Sequence, residues 1–467
     1  MKKQPRQVVR PFSKHTMLGV CTILLLTLIT ACGSPAPAAN TGASAAPASH
    51  ASAAASPAAS TSTSGNAASG SPTTINWIIW ADDIANDKNL NAEVKLFNDS
   101  HPDVQVKLIG ATWNDYTPKI QAMTAAGTPP DVISIQSEAD FVSKGFMLPL
   151  DDLIKQESLD TNRFFPGALT PAYDGKIYGL RHDNAYWMLY YNKDLFDAAG
   201  VAYPPAEGYT IDQFMETACK LSKADQGQWG MHNLHWLNGI LAQQQGMPYL
   251  EMVDGVPQYR IDDPQTLAFY QKVADFINKQ NCQPTADQST SLGGADPFLA
   301  GKAAMSFNGN WGFGNVKENA KFNWDVAPIP GVKQPNVGMK IGIAATSQNQ
   351  AAAWTFLKWL TYEPEATRFR SEHGMGQPAI NDQQAVDTFL NGPVSPAGLP
   401  KVFEALSKPE NTLTVLDVPG ASEANNIINP VSDEVMNGQS QAADVIPAAV
   451  PQANEILAES WKKANGQ

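Results

Sequence analysis

Apolar and polar positions from residue 74 onwards switch between two kinds of pattern. Residues 75–80 are a mostly apolar run of β-forming side chains, which predicts a buried strand. Leu90, Val94 and Phe97 then recur at the spacing of one helix face, and residues 104–108 alternate apolar and polar side chains as a strand does. We therefore expect the folded region to begin with strand, helix and strand.

The same alternation continues to residue 135. Tyr116, Ile120 and Met123 form a second helical stripe, which ends at Gly127, and residues 132–135 are a third short apolar run. Strands separated by helices are typical of an α/β fold with a largely parallel sheet that is covered by helices on both faces.

Ligands of such sheets bind beyond the carboxyl ends of the strands. The residues that follow the three predicted strands are therefore candidates for a binding site. They are Trp80, Asp82 and Asp83 after the first strand, Trp113 after the second, and Gln136 and Ser137 after the third.

The charge balance narrows the range of partners. The 467 residues carry a formal net charge of -13, and residues 1–31 contain five Lys and Arg and no acidic residue, so the rest of the chain is more acidic still. An acidic surface repels phosphate backbones and anionic lipid headgroups. We expect no nucleic-acid partner and no membrane attachment through a basic patch. The 43% hydrophobic content is that of a globular protein, and the length of 467 residues allows two or three domains, or two lobes in one chain.

The N-terminus has the pattern of an export signal. A basic stretch up to Lys14 precedes the apolar residues 17–29, which are too few for a comfortable transmembrane span. Small residues then lead to Cys32, as in a bacterial lipobox, where the cysteine becomes the diacylated first residue. We predict a lipoprotein signal peptide over residues 1–31 and lipidation of Cys32. The alternative is an ordinary signal peptide with an incidental cysteine.

The next segment has the composition of a tether. Residues 33–72 consist of Ala, Ser, Pro, Thr, Gly and Asn apart from His50. Such a segment buries too little apolar surface to offset the entropy of ordering. We predict that residues 32–72 are a lipidated cysteine and a disordered tether, which would hold an exported protein at the outer face of the cell membrane or in the periplasm.

Two cysteines remain in the folded region, Cys219 and Cys282. An isolated pair in an exported protein is more often a disulfide than two free thiols, so we expect a disulfide here. No Cys/His cluster suggests zinc, and His232 and His235, three residues apart, have no carboxylate at a ligand spacing. We expect neither a metal nor a cofactor.

Five sequence motifs occur in the order that is typical of one family. They are residues 127–133 (GTPPDVI), 174–180 (DGKIYGL), 189–196 (LYYNKDLF), 298–305 (FLAGKAAM) with 309–311 (GNW), and 328–331 (PIPG). Over roughly residues 74–375 the chain thus resembles the sugar-binding family of extracellular solute-binding proteins, which are maltose-binding-protein-like substrate-binding lipoproteins of ABC importers. The residues after about 380 carry no comparable signature.

The resemblance implies a two-lobed periplasmic-binding-protein fold of type II. Each lobe would be a sheet flanked by helices, and the chain would cross the hinge several times. The crossings would lie near residues 181–185, 337–343 and 374–379. Lobe one would then be residues 73–183 and 343–377, and lobe two would be residues 184–342 and 378–467.

The resemblance also implies a sugar ligand in the cleft between the lobes. Aromatic faces cover the apolar face of a sugar ring, and planar polar groups bond its hydroxyls. Trp311 matches the family's Gly-x-Trp position and is the favoured stacking residue, with packing in the core as the alternative. For four other tryptophans a place in the core is about as consistent with the sequence as a place in the cleft: Trp80, Trp113, Trp187 and Trp236. The further ligand candidates are Trp236, Asp183, Asn184, Asn308 and Asn310.

Several functions compete. The resemblance implies a monomer that delivers sugar to the transmembrane subunits of an ABC permease and catalyses no reaction. A sugar-sensing surface lipoprotein, a binding protein for a polyol phosphate or other small solute, and a glycoside hydrolase with two carboxylates are the alternatives. The candidate loops are rich in Trp, Asn and Asp rather than in Arg or Lys, so we predict a neutral sugar of two or more units.

Overall fold

The computed structural model describes residues 71–81, 83–293, 295–406 and 408–466. The predicted signal peptide, Cys32 and the predicted tether up to residue 70 lie outside the described residues, as does Asp82.

Strands and short sheets are distributed along the whole described part of the chain. The strands are β1 (Thr73–Trp80), β2 (Val104–Ala111), β3 (Val132–Ile135), β4 (Leu180–Arg181), β5 (Asp183–Asn184), β6 (Trp187–Asn192), β7 (Leu250–Val253), β8 (Val256–Tyr259), β9 (Met305–Gly309), β10 (Trp324–Pro328), β11 (Lys340–Ile343) and β12 (Gln377–Pro378).

Helices connect and cover these strands. They are α1 (Lys88–Ser100), α2 (Tyr116–Ala125), α3 (Glu138–Ser143), α4 (Asp151–Gln156), α5 (Lys193–Ala199), α6 (Ile211–Leu221), α7 (Asn238–Gln244), α8 (Pro264–Asn278), α9 (Ala286–Thr290), α10 (Phe313–Asn319), α11 (Gln350–Tyr362), α12 (Pro364–Glu372), α13 (Gln383–Asn391), α14 (Leu399–Leu406), α15 (Ala421–Met436) and α16 (Ala442–Ala464). Among the described residues, no helix is both long enough and apolar enough to cross a membrane.

A five-stranded sheet has the strand order β2-β1-β3-β11-β4. Its first three strands are parallel, and they are the three strands that the apolar pattern predicts, so this prediction is confirmed. β11 runs antiparallel to both β3 and β4.

Helices cover both faces of this sheet. Successive side chains of a strand point to opposite sides, so neighbouring residues of β1 belong to different cores. Ile75 and Trp77 of β1 pack in one core with α1 and α11, whereas Ile78 packs in another core with Tyr116 and Ile120 of α2. Trp77 is fully buried and lies 5.3 Å from the ring of Phe356 in α11.

A second, three-stranded sheet has the order β10-β6-β9 and is antiparallel throughout. The largely parallel arrangement that residues 74–135 predict is therefore confined to the first sheet. Leu189 and Tyr191 of β6 pack with α6, α8, α15 and α16, and Met188 and Tyr190 pack with α10, α13 and α14 on the other face.

The chain passes between the two sheets at three places. Residues 181–184 lead from β4 in the first sheet to β5, which pairs with β12 in a two-stranded ribbon. Lys340 already pairs with Ile135 of β3, so the return to the first sheet begins three residues before the expected boundary at 343. After β12 the chain returns to the three-stranded sheet, where α15 and α16 pack.

A disulfide joins Cys219, in α6, to Cys282, which follows α8. The sulfur atoms are 2.02 Å apart and the Cα atoms 4.8 Å apart, across a sequence separation of 63 residues. Closing a loop of this length restricts the unfolded chain, and the entropic model assigns about 4 kcal/mol of stabilisation to it.

Candidate ligand-binding site

Two tryptophans meet at the carboxyl edge of the five-stranded sheet. Trp80 is the last residue of β1, and Trp113 follows the end of the neighbouring parallel strand β2. Their rings are perpendicular, with centroids 5.2 Å apart. Trp80 also packs edge-on against Tyr116, whereas Trp113 remains 57% exposed. Trp80 thus supports the Trp113 ring, and the exposed part of the Trp113 ring is accessible to a ligand.

Gln136 positions the loop that carries Trp113. Its side-chain N–H donates to the Trp113 carbonyl at 3.0 Å, and its carbonyl accepts from the Thr117 hydroxyl at 3.2 Å. Both bonds are made within the protein. Gln136 therefore positions this loop, and the ligand contact expected of it stays a prediction.

A second pair of tryptophans lies at one end of the three-stranded sheet. Trp187 begins β6, and Trp311 lies in the turn after β9, with ring centroids 5.2 Å apart. Gly309 allows the Trp311 ring to lie directly on the backbone, because a β-carbon there would come within 1.9 Å of the ring. The buried amide of Gln334 bonds both the N–H and the carbonyl of Trp187, at 2.7 and 2.9 Å.

These contacts leave Trp311 40% exposed and Trp187 half-buried. Trp187 is the member of the pair that sequence reasoning left undecided. Trp187 pairs with Gly309 in the register of β6 and β9, and this pairing places it beside the Gly-x-Trp turn. Trp354 and Trp359, by contrast, are buried in the core around α11.

Trp236 is the third exposed tryptophan and is 58% exposed. It lies on a single 3-10 turn, Leu234–Leu237, beside the three-stranded sheet. Asn233 precedes this turn in the left-handed conformation, and its amide bonds both the N–H and the carbonyl of Phe307 in β9 at 2.9 Å. The turn is therefore fixed to the same strand whose end carries Trp311.

The two histidines beside Trp236 are held neutral. Burial and, to a smaller extent, the neighbouring His232 lower the pKa of His235 to about 4. The amide nitrogen of Gln283 donates to Nδ1 of His235 at 3.1 Å, while the amide oxygen accepts from Leu234 N–H. Since Gln283 offers only a donor, a proton on Nδ1 would have no acceptor. Across the described residues, no group of three or more His, Cys, Asp or Glu side chains could hold a metal ion.

Two of the polar candidates, Asp83 and Asn308, lie near the tryptophans and have side-chain surface that solvent reaches. Asp83 is exposed, and one of its carboxylate oxygens accepts from the Asn86 side chain at 2.7 Å. Asn308 is half-buried beside Trp311, and its carbonyl accepts from the Gly309 N–H at 2.8 Å. Each keeps polar atoms for a ligand.

Asn184 and Asn310 hold the backbone of the chain crossing and do not face a ligand in this structure. Asn310 is fully buried, and its amide donates to the Asn184 carbonyl at 2.9 Å and accepts from Tyr186 N–H at 3.2 Å. Asn184 donates to the Pro378 carbonyl at 3.2 Å and accepts from Asn336 at 2.8 Å. Bonds within the protein thus satisfy both amides, and the ligand contact expected of these two residues stays a prediction.

Asp183 belongs to a buried charge network at the same crossing. One carboxylate oxygen accepts from Met339 N–H at 2.9 Å, and the other lies 3.3 Å from a guanidinium nitrogen of Arg370. Arg370 also donates to both oxygens of Glu93, at 3.1 and 3.2 Å. Burial acts to raise the pKa of Glu93, but Arg370 and His182 outweigh it and hold that pKa below 4.5. Asp183 is 6% exposed and bonded within the protein at this crossing, and the ligand role expected of it stays a prediction.

Ser137 and two cations lie at the end of β3. The Ser137 hydroxyl accepts from Asp140 N–H at the start of α3 and donates to Asp417 at 2.7 Å, so its bonds too are internal. Lys340 binds Glu138 at 2.5 Å, and Arg181 donates to the Asn336 side chain at 3.3 Å and to the Gly338 carbonyl. Sequence reasoning missed this cluster, since Asp417 lies in the tail that carries no motif.

The described surface thus offers aromatic faces with neighbouring polar groups at the strand ends of both sheets. The exposed faces are those of Trp113, Trp236 and Trp311. A rigid aromatic face with nearby hydrogen-bonding groups suits a ligand that has an apolar side and a polar rim.

Comparison with known proteins places these features in a family. The family model for bacterial extracellular solute-binding proteins matches residues 81–366, more than half of the chain. The maltotriose-binding protein of Pyrococcus abyssi is 28% identical over 286 residues, which are 57% of this chain and 58% of that protein. The sn-glycerol-3-phosphate-binding periplasmic protein UgpB of Pectobacterium atrosepticum is 24% identical over 264 residues, 52% of this chain and 57% of that protein.

A solved structure extends the similarity to the whole fold. An ABC substrate-binding protein of Listeria monocytogenes, solved in complex with cycloalternan, matches with a TM-score of 0.70 and 25% identity. The match covers 82% of this chain and 98% of that chain. The architecture is that of the type II periplasmic binding proteins, and the chain belongs to the bacterial extracellular solute-binding protein family.

Proposed function

We propose that this protein is the substrate-binding lipoprotein of an ABC importer, which captures a neutral sugar of two or more units and delivers it to the permease without changing it. The observation that supports the proposal best is the pair of tryptophan clusters, Trp80 with Trp113 and Trp187 with Trp311. Each cluster stands at a strand end of a different sheet. Two platforms on two sheets suit a ligand with more than one ring.

The proposal divides the described residues into two lobes around these sheets. Lobe one is residues 73–183 and 340–377, and lobe two is residues 184–339 and 378–466. The return to lobe one is placed at Lys340 because β11 pairs with β3. Export, lipidation of Cys32 and a tether over residues 32–72 belong to the same proposal, and they are supported by the sequence pattern and by a family of extracellular proteins.

The proposed ligand residues follow from the exposed groups. Trp113, Trp236 and Trp311 would stack on sugar rings, and Asp83 and Asn308 would bond hydroxyls. Trp80 and Trp187 would support the stacking rings from the side. Asp82 remains a proposed contact from its place beside Asp83. The maltotriose and cycloalternan named for two similar proteins are both oligosaccharides, in keeping with this choice.

A phosphate-bearing ligand is the second candidate, because a glycerol-phosphate-binding protein is among the relatives. Two cations, Arg181 and Lys340, lie opposite each other in β4 and β11 and next to the end of β3. Lys340 is paired with Glu138, and Arg181 is bonded to Asn336 and Gly338. Since both cations already have partners within the protein, a neutral ligand is favoured.

A thermal-shift screen tests the ligand class. The panel should contain maltose, longer maltodextrins, mannooligosaccharides and cyclic glucans, with glycerol 3-phosphate and amino acids as controls. A ligand that binds only the folded state raises the melting temperature in proportion to RT ln(1 + [L]/Kd). We expect one sugar class to raise the melting temperature of the wild type and to have no effect on Trp311→Ala.

Tyr203→Ala is the matched control for that variant. Tyr203 is 38% exposed, close to Trp311 at 40%, and also lies in the second lobe. Its ring contacts Tyr191, at the far end of β6 from Trp187, about 14 Å away along the strand. This variant should keep the full shift. A shift with glycerol 3-phosphate alone would instead support the phosphate-bearing ligand.

A further inference from the structure

Two helices that belong to different cores meet through paired hydrogen bonds. α3 contributes Phe141 to the core of the five-stranded sheet, whereas α15 contributes Ala424 and Ile428 to the core of the three-stranded sheet. The contact between their first turns therefore joins the two proposed lobes. It involves the tail beyond residue 366, where the family match ends.

Asp417 makes one half of this contact. Its carboxylate accepts from the Ser137 hydroxyl at 2.7 Å and from the Ala139 N–H at 3.0 Å. Both donors belong to the N-terminal end of α3, where backbone N–H groups have no partner within the helix and where the helix dipole favours a negative charge. A carboxylate from lobe two thus caps a helix of lobe one.

Asp140 makes the other half in the opposite direction. It is fully buried, and its two oxygens accept from Gly420 N–H at 2.5 Å and from Ser422 N–H at 2.8 Å, at the N-terminal end of α15. Gly420 has φ +86, and a β-carbon there would lie 2.5 Å from the Ser460 hydroxyl, so glycine is required at this turn. A carboxylate from lobe one thus caps a helix of lobe two.

An ion pair flanks the two caps. Lys144, which follows α3, and Glu423 of α15 approach to 2.6 Å, with side chains 24% and 44% exposed. The carboxylates of Asp140 and Asp417 are near enough to repel each other. The helix ends attract the two carboxylates, but the carboxylates repel each other. This repulsion limits the net free energy of the contact.

We propose that this reciprocal capping of α3 and α15 is a latch that forms when the two lobes close and breaks when they open. The latch residues are Ser137, Ala139 and Asp140 on lobe one and Asp417, Gly420 and Ser422 on lobe two. Because each carboxylate caps a helix of the opposite lobe, separation of the lobes would free four backbone or hydroxyl donors together.

The latch would set ligand affinity without touching the ligand. A ligand that binds the closed state shifts the equilibrium only by its preference for that state, so any contact that stabilises closure raises the apparent affinity. This consequence rests on the proposed function, whereas the existence of the latch does not.

Hydrogen exchange of the full-length chain without sugar tests the latch directly. Asp140→Asn replaces an acceptor of the α15 N–H groups by an amide. If the latch opens as a unit, exchange should rise about tenfold or more in both segments, residues 137–143 and residues 417–423, because bonds to a charged acceptor are lost on both sides. Asp417→Asn should produce the same two-sided change.

A control variant and a milder latch variant complete the experiment. Asp99→Asn removes an exposed carboxylate of α1 that pairs only with Lys95 in the same helix, and it should leave both segments protected. Ser137→Ala removes the hydroxyl's bond to Asp417 and its capping bond from Asp140 N–H, but no charge, so it tests the latch through residues 417–423 even if Asp140→Asn prevents folding. It should raise exchange on both sides to a smaller extent.

One result would overturn the proposal. If Asp140→Asn raises exchange only around residues 420–423, and Asp417→Asn only around residues 137–140, the two caps are independent local contacts. If both segments respond, the sugar identified in the thermal-shift screen should bind the variants about tenfold more weakly than wild type. Two-sided exchange in a protein that binds no sugar would keep the latch and refute the proposed function alone.

Discussion

Replacing Arg370 with methionine should cost the protein about 3–5 kcal/mol of unfolding free energy. Glu93 is 0% exposed, and Arg370 provides both of its short bonds, at 3.1 and 3.2 Å. His182 is the other nearby base, but its ring nitrogen is 3.7 Å away. Removing the guanidinium thus leaves a buried carboxylate without a hydrogen-bonding cation, and also removes a partner of Asp183 at the hinge.

Arg368→Met is the matched control, since Arg368 lies in the same helix and pairs with Asp382 at 2.9 Å. The Arg368 side chain is 40% exposed and that of Asp382 is 8% exposed; because water reaches the guanidinium, the pair should contribute only about 1 kcal/mol. The double variant Glu93→Leu with Arg370→Met removes both buried charges and should recover most of the lost stability. Urea titrations followed by tryptophan fluorescence give the unfolding free energies of all these proteins.

The pH dependence gives a second test of the same reasoning. Without Arg370, burial should raise the pKa of Glu93 above its unfolded value of about 4.5, so the folded variant binds a proton more tightly than the unfolded chain. The cost of Arg370→Met should then shrink as the pH falls from 8 towards 5. Equal costs for the Arg370 and Arg368 variants, or a cost that does not change with pH, would refute this account of the network.

Three further predictions concern stability and the ligand site. The pKa of His235 lies at about 4 when folded and 6.5 when unfolded, so about 3 kcal/mol of stability should be lost as the pH falls from 6.5 to 4; urea titrations of His235→Gln should lack this part of the loss. Cys219→Ser with Cys282→Ser should lower the unfolding free energy by about 4 kcal/mol, and an unchanged urea midpoint would contradict the disulfide's contribution. Gly309→Ala should displace the Trp311 ring and weaken sugar binding about tenfold in a calorimetric titration, and undiminished affinity would show that this ring does not stack.

Periodic patterns predicted the elements that a single segment determines by itself. The strands at 75–80, 104–108 and 132–135 form as β1, β2 and β3, because alternation and apolar runs report which local side chains are buried. The rule that ligand groups follow strand ends also selected Trp80 and Trp113. Their rings are in contact in the structure because β1 and β2 are adjacent parallel strands. The antiparallel second sheet was not predicted, because its central strand β6 lies more than a hundred residues from both strands that pair with it.

The roles of the polar candidates depended on partners that a sequence does not reveal. Asn184 and Asn310 have the side chains that a sugar site needs, yet the backbone at the crossing uses them. Asp183 is bound to Arg370, 187 residues away, and Ser137 to Asp417, 280 residues away. Pairings across such separations are set by how the two sheets are assembled.

The measurement that tests the central claim most directly is a calorimetric titration of the protein with the sugar found in the thermal-shift screen, followed by chromatography of the recovered sugar. The account predicts one site per chain, a negative heat-capacity change from burial of apolar surface on the tryptophan rings, and sugar recovered intact. Sugar recovered as shorter fragments would show catalysis, and binding of glycerol 3-phosphate with no binding of any sugar would contradict the proposed ligand.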